Sequence, residues 1–222
     1  MVKAGFAYGK QRYRCKDCKH HFTVLYKSTK KDENIRKLAI DMYLKGLGFR
    51  AIGRVLGIGH STVYYWVKEL GIKHESAYNT NLDHNNEPID VVELDEIHSY
   101  SKFKKHTCWT WIAIDRQTKH LLGFVCGRRD TKTFQRLYHQ LNIDNINLFC
   151  SDYWKVCQEV IPTHKHLQSK AQTFTVEGYN SRIRHYLARF KCKTKCYSKC
   201  QKMIEHSLTL LFAKWNGRLS YV

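Results

Sequence analysis

Ile89-Asp90-Val91-Val92-Glu93-Leu94-Asp95-Glu96-Ile97 sets acids among apolar and β-branched residues. Side chains on a strand alternate between its two faces. The run therefore predicts a strand with Glu93 and Asp95 on one face and Glu96 on the other. An ionised carboxylate among neighbours such as Leu94 and Ile97 needs a partner or a metal ion. That predicts a site on this strand and leaves Glu93 and Asp95 as alternatives for it.

Outward from this strand the pattern continues. Strands are expected at 108–115 and 121–126, with Gln117-Thr118-Lys119 suited to the turn between them. An amphipathic helix is expected at 131–141 and a short apolar strand at 147–150, ended by Ser151-Asp152. A helix at 153–160 stops before Pro162, a short strand fits 166–168, and helices fit 174–190 and 198–215. Three antiparallel strands followed by alternating helices and strands is an RNase H-like order. The predicted fold of residues 89–222 is thus α/β, a mixed five-stranded sheet with flanking helices.

Within that order Asp95 falls in the first strand, Asp152 just past the fourth, and Glu177 in the helix after the fifth. Oxygen ligands of this kind suit hard cations such as Mg²⁺. Two such ions can flank a phosphate, one at the attacking and one at the leaving oxygen. Spacing alone does not distinguish this from chance among 19 acids.

Before the sheet, Ile35, Leu38, Ala39, Met42 and Tyr43 recur at helical spacing, with Asp32 placed to cap the helix. Residues 49–68 read as helix, tight turn at Gly57, helix: a helix-turn-helix. The second helix of that motif enters the major groove with its first turns, which makes His60, Ser61, Thr62, Tyr64 and Tyr65 the expected DNA-facing set. The domain reading is a zinc-finger-like segment over 1–30, a small helical DNA-binding domain over 31–74, an Asn-rich linker over 75–88, and the catalytic domain over 89–222.

The charge favours the same partner. Lys and Arg number 38 against 19 Asp and Glu, a net +19. Such self-repulsion suits a polyanion, because each base near a phosphate releases condensed counterions. After Glu177 no acid occurs through Lys202, and Arg182, Arg184, Arg189, Lys193 and Lys199 form an expected phosphate track. Neither a membrane span nor a secretory signal is legible, so the expected location is the cytoplasm. The nine cysteines read as reduced thiols. Cys192, Cys196 and Cys200, spaced by four, read as small apolar helix positions.

Several stretches together resemble transposases of the insertion-sequence-one family, the InsA/InsB type. They are Leu94 to Tyr100, Trp109 to Arg116, Ser151-Asp152-Tyr153-Trp154, Glu177-Gly178-Tyr179-Asn180, Arg182 to Arg189, Lys193-Thr194 and Tyr197-Ser198-Lys199, with Gly9 to Cys15 at the front. The resemblance implies a Mg²⁺-dependent DDE centre of Asp95, Asp152 and Glu177, and so selects Asp95 over Glu93. It implies two ions, with Mn²⁺ able to replace Mg²⁺. The implied reaction cuts double-stranded DNA at the element's ends and joins the 3′-hydroxyl to target DNA. Arg184, two helical turns after Glu177, stands where such enzymes carry a base. Action on paired ends implies a homodimer. The chain departs from the family pattern at His98, usually Trp, and at Gly178, usually Arg. Similar proteins also carry a zinc finger of two Cys-x-x-Cys pairs. Only Cys15 and Cys18 are present as Zn²⁺ ligands, so the other pair is expected upstream of Met1. Two other classes stay in view: a repressor that binds element ends without cutting, and another RNase H-like nuclease such as a resolvase.

Overall fold

The computed structural model describes residues 1–7, 9–24, 32–81, 88–191 and 193–221, with backbone only for 76–81. It divides into two compact units, Met1–Ile35 and Arg36–Val222.

The first unit is an antiparallel sheet of β1 (Val2–Ala7), β2 (Lys10–Arg14) and β3 (His21–Thr23). These strands are short, and only β1 alternates apolar residues, at Val2, Ala4 and Phe6, so they are not among the strands expected from the sequence. Gly9, at φ +74°, takes a left-handed conformation in the β1–β2 turn that a side chain would resist. Cys15 and Cys18 lie in the turn between β2 and β3, which is closed by the Cys15 N–H donating to the His20 carbonyl at 2.9 Å.

Helix α1 (Glu33–Tyr43) starts as expected, with Asp32 Oδ1 accepting the Asn34 N–H at 3.0 Å. Helix α2 (Phe49–Leu56) ends at Gly57, whose φ of 62° lets its N–H reach the Gly53 carbonyl. Helix α3 starts at His60 and runs to Asn81. Residues 75–81, read as linker, therefore extend the helix; 82–87 lie outside the described residues.

Next come β4 (Ile89–Tyr100), β5 (Thr107–Asp115), β6 (Leu121–Gly127), α4 (Thr131–Tyr138), β7 (Ile146–Ser151), α5 (Lys155–Val160), β8 (His166–Gln168), α6 (Phe174–Tyr186) and α7 (Gln201–Trp215). The sheet order is β6-β5-β4-β7-β8. β4, β5 and β6 pair antiparallel; β7 joins β4, and β8 joins β7, in parallel. This is the RNase H-like arrangement.

Two apolar layers cover the sheet. Val92, Leu94, Trp111 and Ala113 pack with Phe134 and Leu137 of α4 and Val156 of α5. On the other face Ile97, Ile112 and Ile114 pack with Ile183 of α6 and Leu208 and Phe212 of α7. That second core also contains Ile40, Ile52, Val63 and Leu70 of α1 to α3. The helix-turn-helix and the sheet thus share one core. α3 crosses α7 so closely that a Cβ on Gly71 would stand 2.5 Å from His206 Cβ.

Two expected helices are shorter. The helix read at 174–190 breaks after Tyr186, where Leu187 turns extended, and Arg189 beyond the break is buried. The helix read at 198–215 starts at Gln201. Cys196 and Cys200 are exposed in the irregular stretch before it, not on a helix face. Cys192 lies outside the described residues.

Candidate active site

Strand pairing places the acids. In the parallel β4–β7 pair Glu93 stands opposite Cys150. Two residues further on, the same register sets Asp95, midway along β4, beside Asp152 just past the end of β7; neighbouring strands lie about 4.8 Å apart. Asp152 Oδ1 accepts the Trp154 N–H at 3.1 Å, which turns the chain out of the sheet. Glu177 occupies the first turn of α6, exposed, with Thr173 Oγ1 donating to its Oε1 at 3.2 Å.

Asn180, one turn after Glu177 on α6, was not singled out by the sequence. Its Nδ2 donates to Asp95 Oδ2 at 2.7 Å, and the Glu96 N–H donates to Asp95 Oδ1 at 2.8 Å. Burial raises the Asp95 carboxyl to about 6, with the Asp152 and Glu177 charges adding to the rise and these two hydrogen bonds opposing it. Asp152 and Glu177 therefore both act on Asp95 through space. The sequence signals for Asn180 are its place in the family-like stretch Glu177-Gly178-Tyr179-Asn180 and its position three after Glu177, on the same helix face.

Glu93, the rival of Asp95, has a different task. It is fully buried, and its Oε1 pairs with Arg116 Nε at 2.7 Å. Its Oε2 accepts the Thr175 and Val176 N–H groups at 2.7 and 2.9 Å. The Thr173 side chain makes no cap bond at the start of α6. A carboxylate from β4 thus satisfies the free donors of the first turn, where the helix dipole is positive. Arg116 Nη1 also donates to Gln172 Oε1 at 2.9 Å, fixing the chain that enters the helix.

On the opposite face of β4, Glu96 Oε1 accepts from Arg129 Nε at 2.7 Å. The Arg129 guanidinium lies 3.6 Å from the centre of the Trp154 ring and 4.7 Å from that of Trp109. Burial raises Glu96 to about 7 against the pull of Arg129, with Asp95 and Asp152 adding to the rise. The loop carrying Asp152 is clamped through Trp154.

The donor set suits a hard divalent cation. Three carboxylates lie at one end of the sheet, and the Asn180 Oδ1 beside Asp95 is buried with no hydrogen-bond partner among the described residues. Among those residues, however, no three His, Cys, Asp or Glu side chains are closed up as a finished metal cage. That holds for Cys15 and Cys18 as well. The Cys15 thiol is lowered by the Cys18 and Asp17 N–H groups directed at it.

Of the expected DNA-facing set, His60, Ser61 and Tyr65 are exposed at the start of α3. Thr62 is half-buried, and Tyr64 packs edge-on against Phe49 at 5.8 Å, which turns it toward the core. Arg182 lies exposed over Trp215 and Tyr179, at 4.4 and 4.8 Å. Arg184 is half-buried on the same helix face as Glu177, and Lys193 and Lys199 are exposed. Arg189 is a correction. It is only 6% exposed, donates to Ser198 Oγ and to the Met203 carbonyl, and faces the rings of Tyr43 and Phe49. It ties the core and is not part of a phosphate track. No helix among the described residues is long and apolar enough to cross a membrane.

A family model described as IS1 transposase matches residues 89–214. A second model, for the gpP-like ATPase subunit of terminase, matches residues 34–79, which span α1 to α3 apart from its last turn. The insertion element iso-IS1n protein InsB of Shigella dysenteriae is 31% identical over 115 residues, covering 52% of this chain and 88% of that protein. The insertion element IS1 4 protein InsB of Escherichia coli K12 is 30% identical over 126 residues, covering 55% of this chain and 75% of that protein. Among solved structures, the Mos1 mariner paired end complex with Mn aligns over 87% of this chain and 75% of that chain, with 9% identity and a TM-score of 0.34.

Proposed function

This chain belongs to the IS1 transposase family, and we propose that it cuts phosphodiester bonds at the ends of an insertion element and joins the freed 3′-hydroxyl to target DNA. The observation that carries this reading is the β4–β7 register that sets Asp95 beside Asp152, with Glu177 and Asn180 brought over them by α6. Family membership makes a divalent metal the expected cofactor. Asp95, Asp152 and Glu177 would hold two Mg²⁺ ions, or Mn²⁺ in their place. When bound, these would supply Lewis-acid stabilisation of the attacking and leaving oxygens.

The protein's own part is placement and charge. Asn180 holds the Asp95 carboxylate, Trp154 holds Asp152, and Glu93 holds the start of the helix that bears Glu177. The net charge of +19 favours duplex DNA as substrate, and Arg182, Arg184, Lys193 and Lys199 are the phosphate contacts we assign after Glu177 in the chain. His60, Ser61 and Tyr65 are assigned to the groove, with Thr62 at their edge. Pairing of two ends would require a homodimer.

Incubating duplex DNA bearing the element's ends with the protein and Mg²⁺ is expected to give nicked and joined products. Asp152→Ala should lower the rate by at least about 10³-fold while leaving DNA affinity in place. Undiminished cleavage by that variant would sink the assignment. Salt-dependent binding by wild type with no cleavage would favour an end-binding repressor.

A further inference from the structure

The strands β4 and β5 run on beyond the acids, with β6 beside β5 as far as Gly127, and end in a two-stranded tip. Its turn, residues 101–106, exposes Lys102, Lys104 and Lys105. A segment from far along the chain lies against it. Ser101 bridges to Ser198, the Lys102 N–H donates to the Ser198 carbonyl at 2.7 Å, and the Tyr100 and Tyr197 rings stand 5.7 Å apart. Lys195 and Lys199, both exposed, come with that segment.

The fold has thus gathered five lysines from two acid-free stretches, 97–114 and 178–204. Among the described residues none of the five is ion-paired with a carboxylate. Like charges inside one screening length of about 8 Å repel, and a polyanion relieves this by exchanging its condensed counterions for them. From Asp95 to Tyr100 the strand advances five residues, about 17 Å at roughly 3.3 Å each. Along duplex DNA, at about 3.4 Å per base pair, that is roughly five base pairs.

We propose that the β4–β5 hairpin tip, with the segment paired to it at Ser198, is a second phosphate-binding surface, gripping duplex DNA about half a helical turn from the bond that is cut. This rests on the reading of the chain as acting on duplex DNA. The shared chemistry is backbone phosphate; the duplex is either the element's own end or the DNA flanking it.

The test uses the double variant Lys104→Ala/Lys105→Ala, whose side chains are exposed and whose melting temperature should stay at the wild-type value. Arg218→Ala is the comparison. It is exposed and near Asn216, which bonds to Leu121 at the other end of the sheet. Binding of an end-containing duplex is measured against salt concentration. The double variant should lower the slope of log K against log salt by about 2, near 0.9 per phosphate lost, with Arg218→Ala unchanged. The measurement is repeated on duplexes shortened to two base pairs beyond the cut on one side or the other. The difference between wild type and variant should vanish on one of these duplexes, which identifies the side gripped. A double variant with the wild-type slope on every duplex would overturn the proposal. A wild type with no salt-dependent binding would instead overturn the DNA reading beneath it.

Discussion

Two side chains on one strand face, two positions apart, take opposite roles because of what faces them. Glu93 meets a helix N-terminus and an arginine; Asp95 meets an amide and two other carboxylates. Their different surroundings give different responses to pH. Asp95 is raised from an ordinary 3.8 to about 6, so the folded state holds its proton more tightly than the unfolded chain does. Without divalent cations, its contribution to stability is greatest below about pH 4, falls as pH rises to about 6, and is level above. Melting curves of wild type across this window should show the decline, and Asp95→Asn should shrink it to the share of Glu96, which burial raises to about 7. Mg²⁺ should remove the Asp95 share of the decline in wild type and change little in Asp95→Asn. For Asn180, replacement by Ala takes away a hydrogen bond to a charged group, worth about 1.5–3 kcal/mol. A cleavage rate about 10- to 100-fold lower with unchanged DNA affinity is the expected outcome, measured in single-turnover cleavage. A loss of affinity instead would show that Asn180 serves folding or DNA contact.

At the scale of elements, α6 depends on β4 for its cap. Glu93→Gln keeps the size of the side chain but removes the charge facing Arg116 and the first turn of the helix. Breaking a buried pair of this kind costs about 3 kcal/mol. For a chain of this size that lowers Tm by roughly 6–12 °C. Glu69→Gln breaks the Arg36–Glu69 pair, whose glutamate side chain is 68% exposed. Exposed pairs contribute at most about 1 kcal/mol. Thermal melts of the two variants side by side check the contrast. The clamp of Arg129 between Trp154 and Trp109 acts similarly on the Asp152 loop. Arg129→Lys keeps the charge but loses the flat stacking surface. It should lower cleavage more than Tm, and charge conservation alone restoring full activity would refute the clamp.

At the scale of the whole unit 36–222, the helix-turn-helix and the RNase H-like sheet share a core and a tight α3–α7 crossing. Calorimetry of the protein should therefore show α1 to α3 melting together with the sheet. Gly71→Ala is the probe of that crossing. Alanine ordinarily favours a helix over glycine by about 1 kcal/mol. Here the added methyl meets His206, and overpacking of this sort costs about 1–3 kcal/mol. Destabilisation is the expected sign, and a raised Tm would mean the helices part easily.

The sequence by itself determined the strand order, the acids on and after the strands, the Gly57 turn and the Asp32 cap. Each of these is a local pattern: period two, a left-handed glycine, a short polar side chain before a helix. It could not choose between Glu93 and Asp95, since both satisfy the same alternation, and only the resemblance favoured Asp95. It also read Arg189 as one more surface base and 75–81 as a linker. Tertiary structure decided those points, because they depend on partners far along the chain: Thr175 and Val176 for Glu93, Asn180 for Asp95, Ser198 and Met203 for Arg189, and α7 for α3. Alternation and charge are written along the chain. Which carboxylate meets a helix end and which meets other carboxylates depends on how the helices are laid over the sheet.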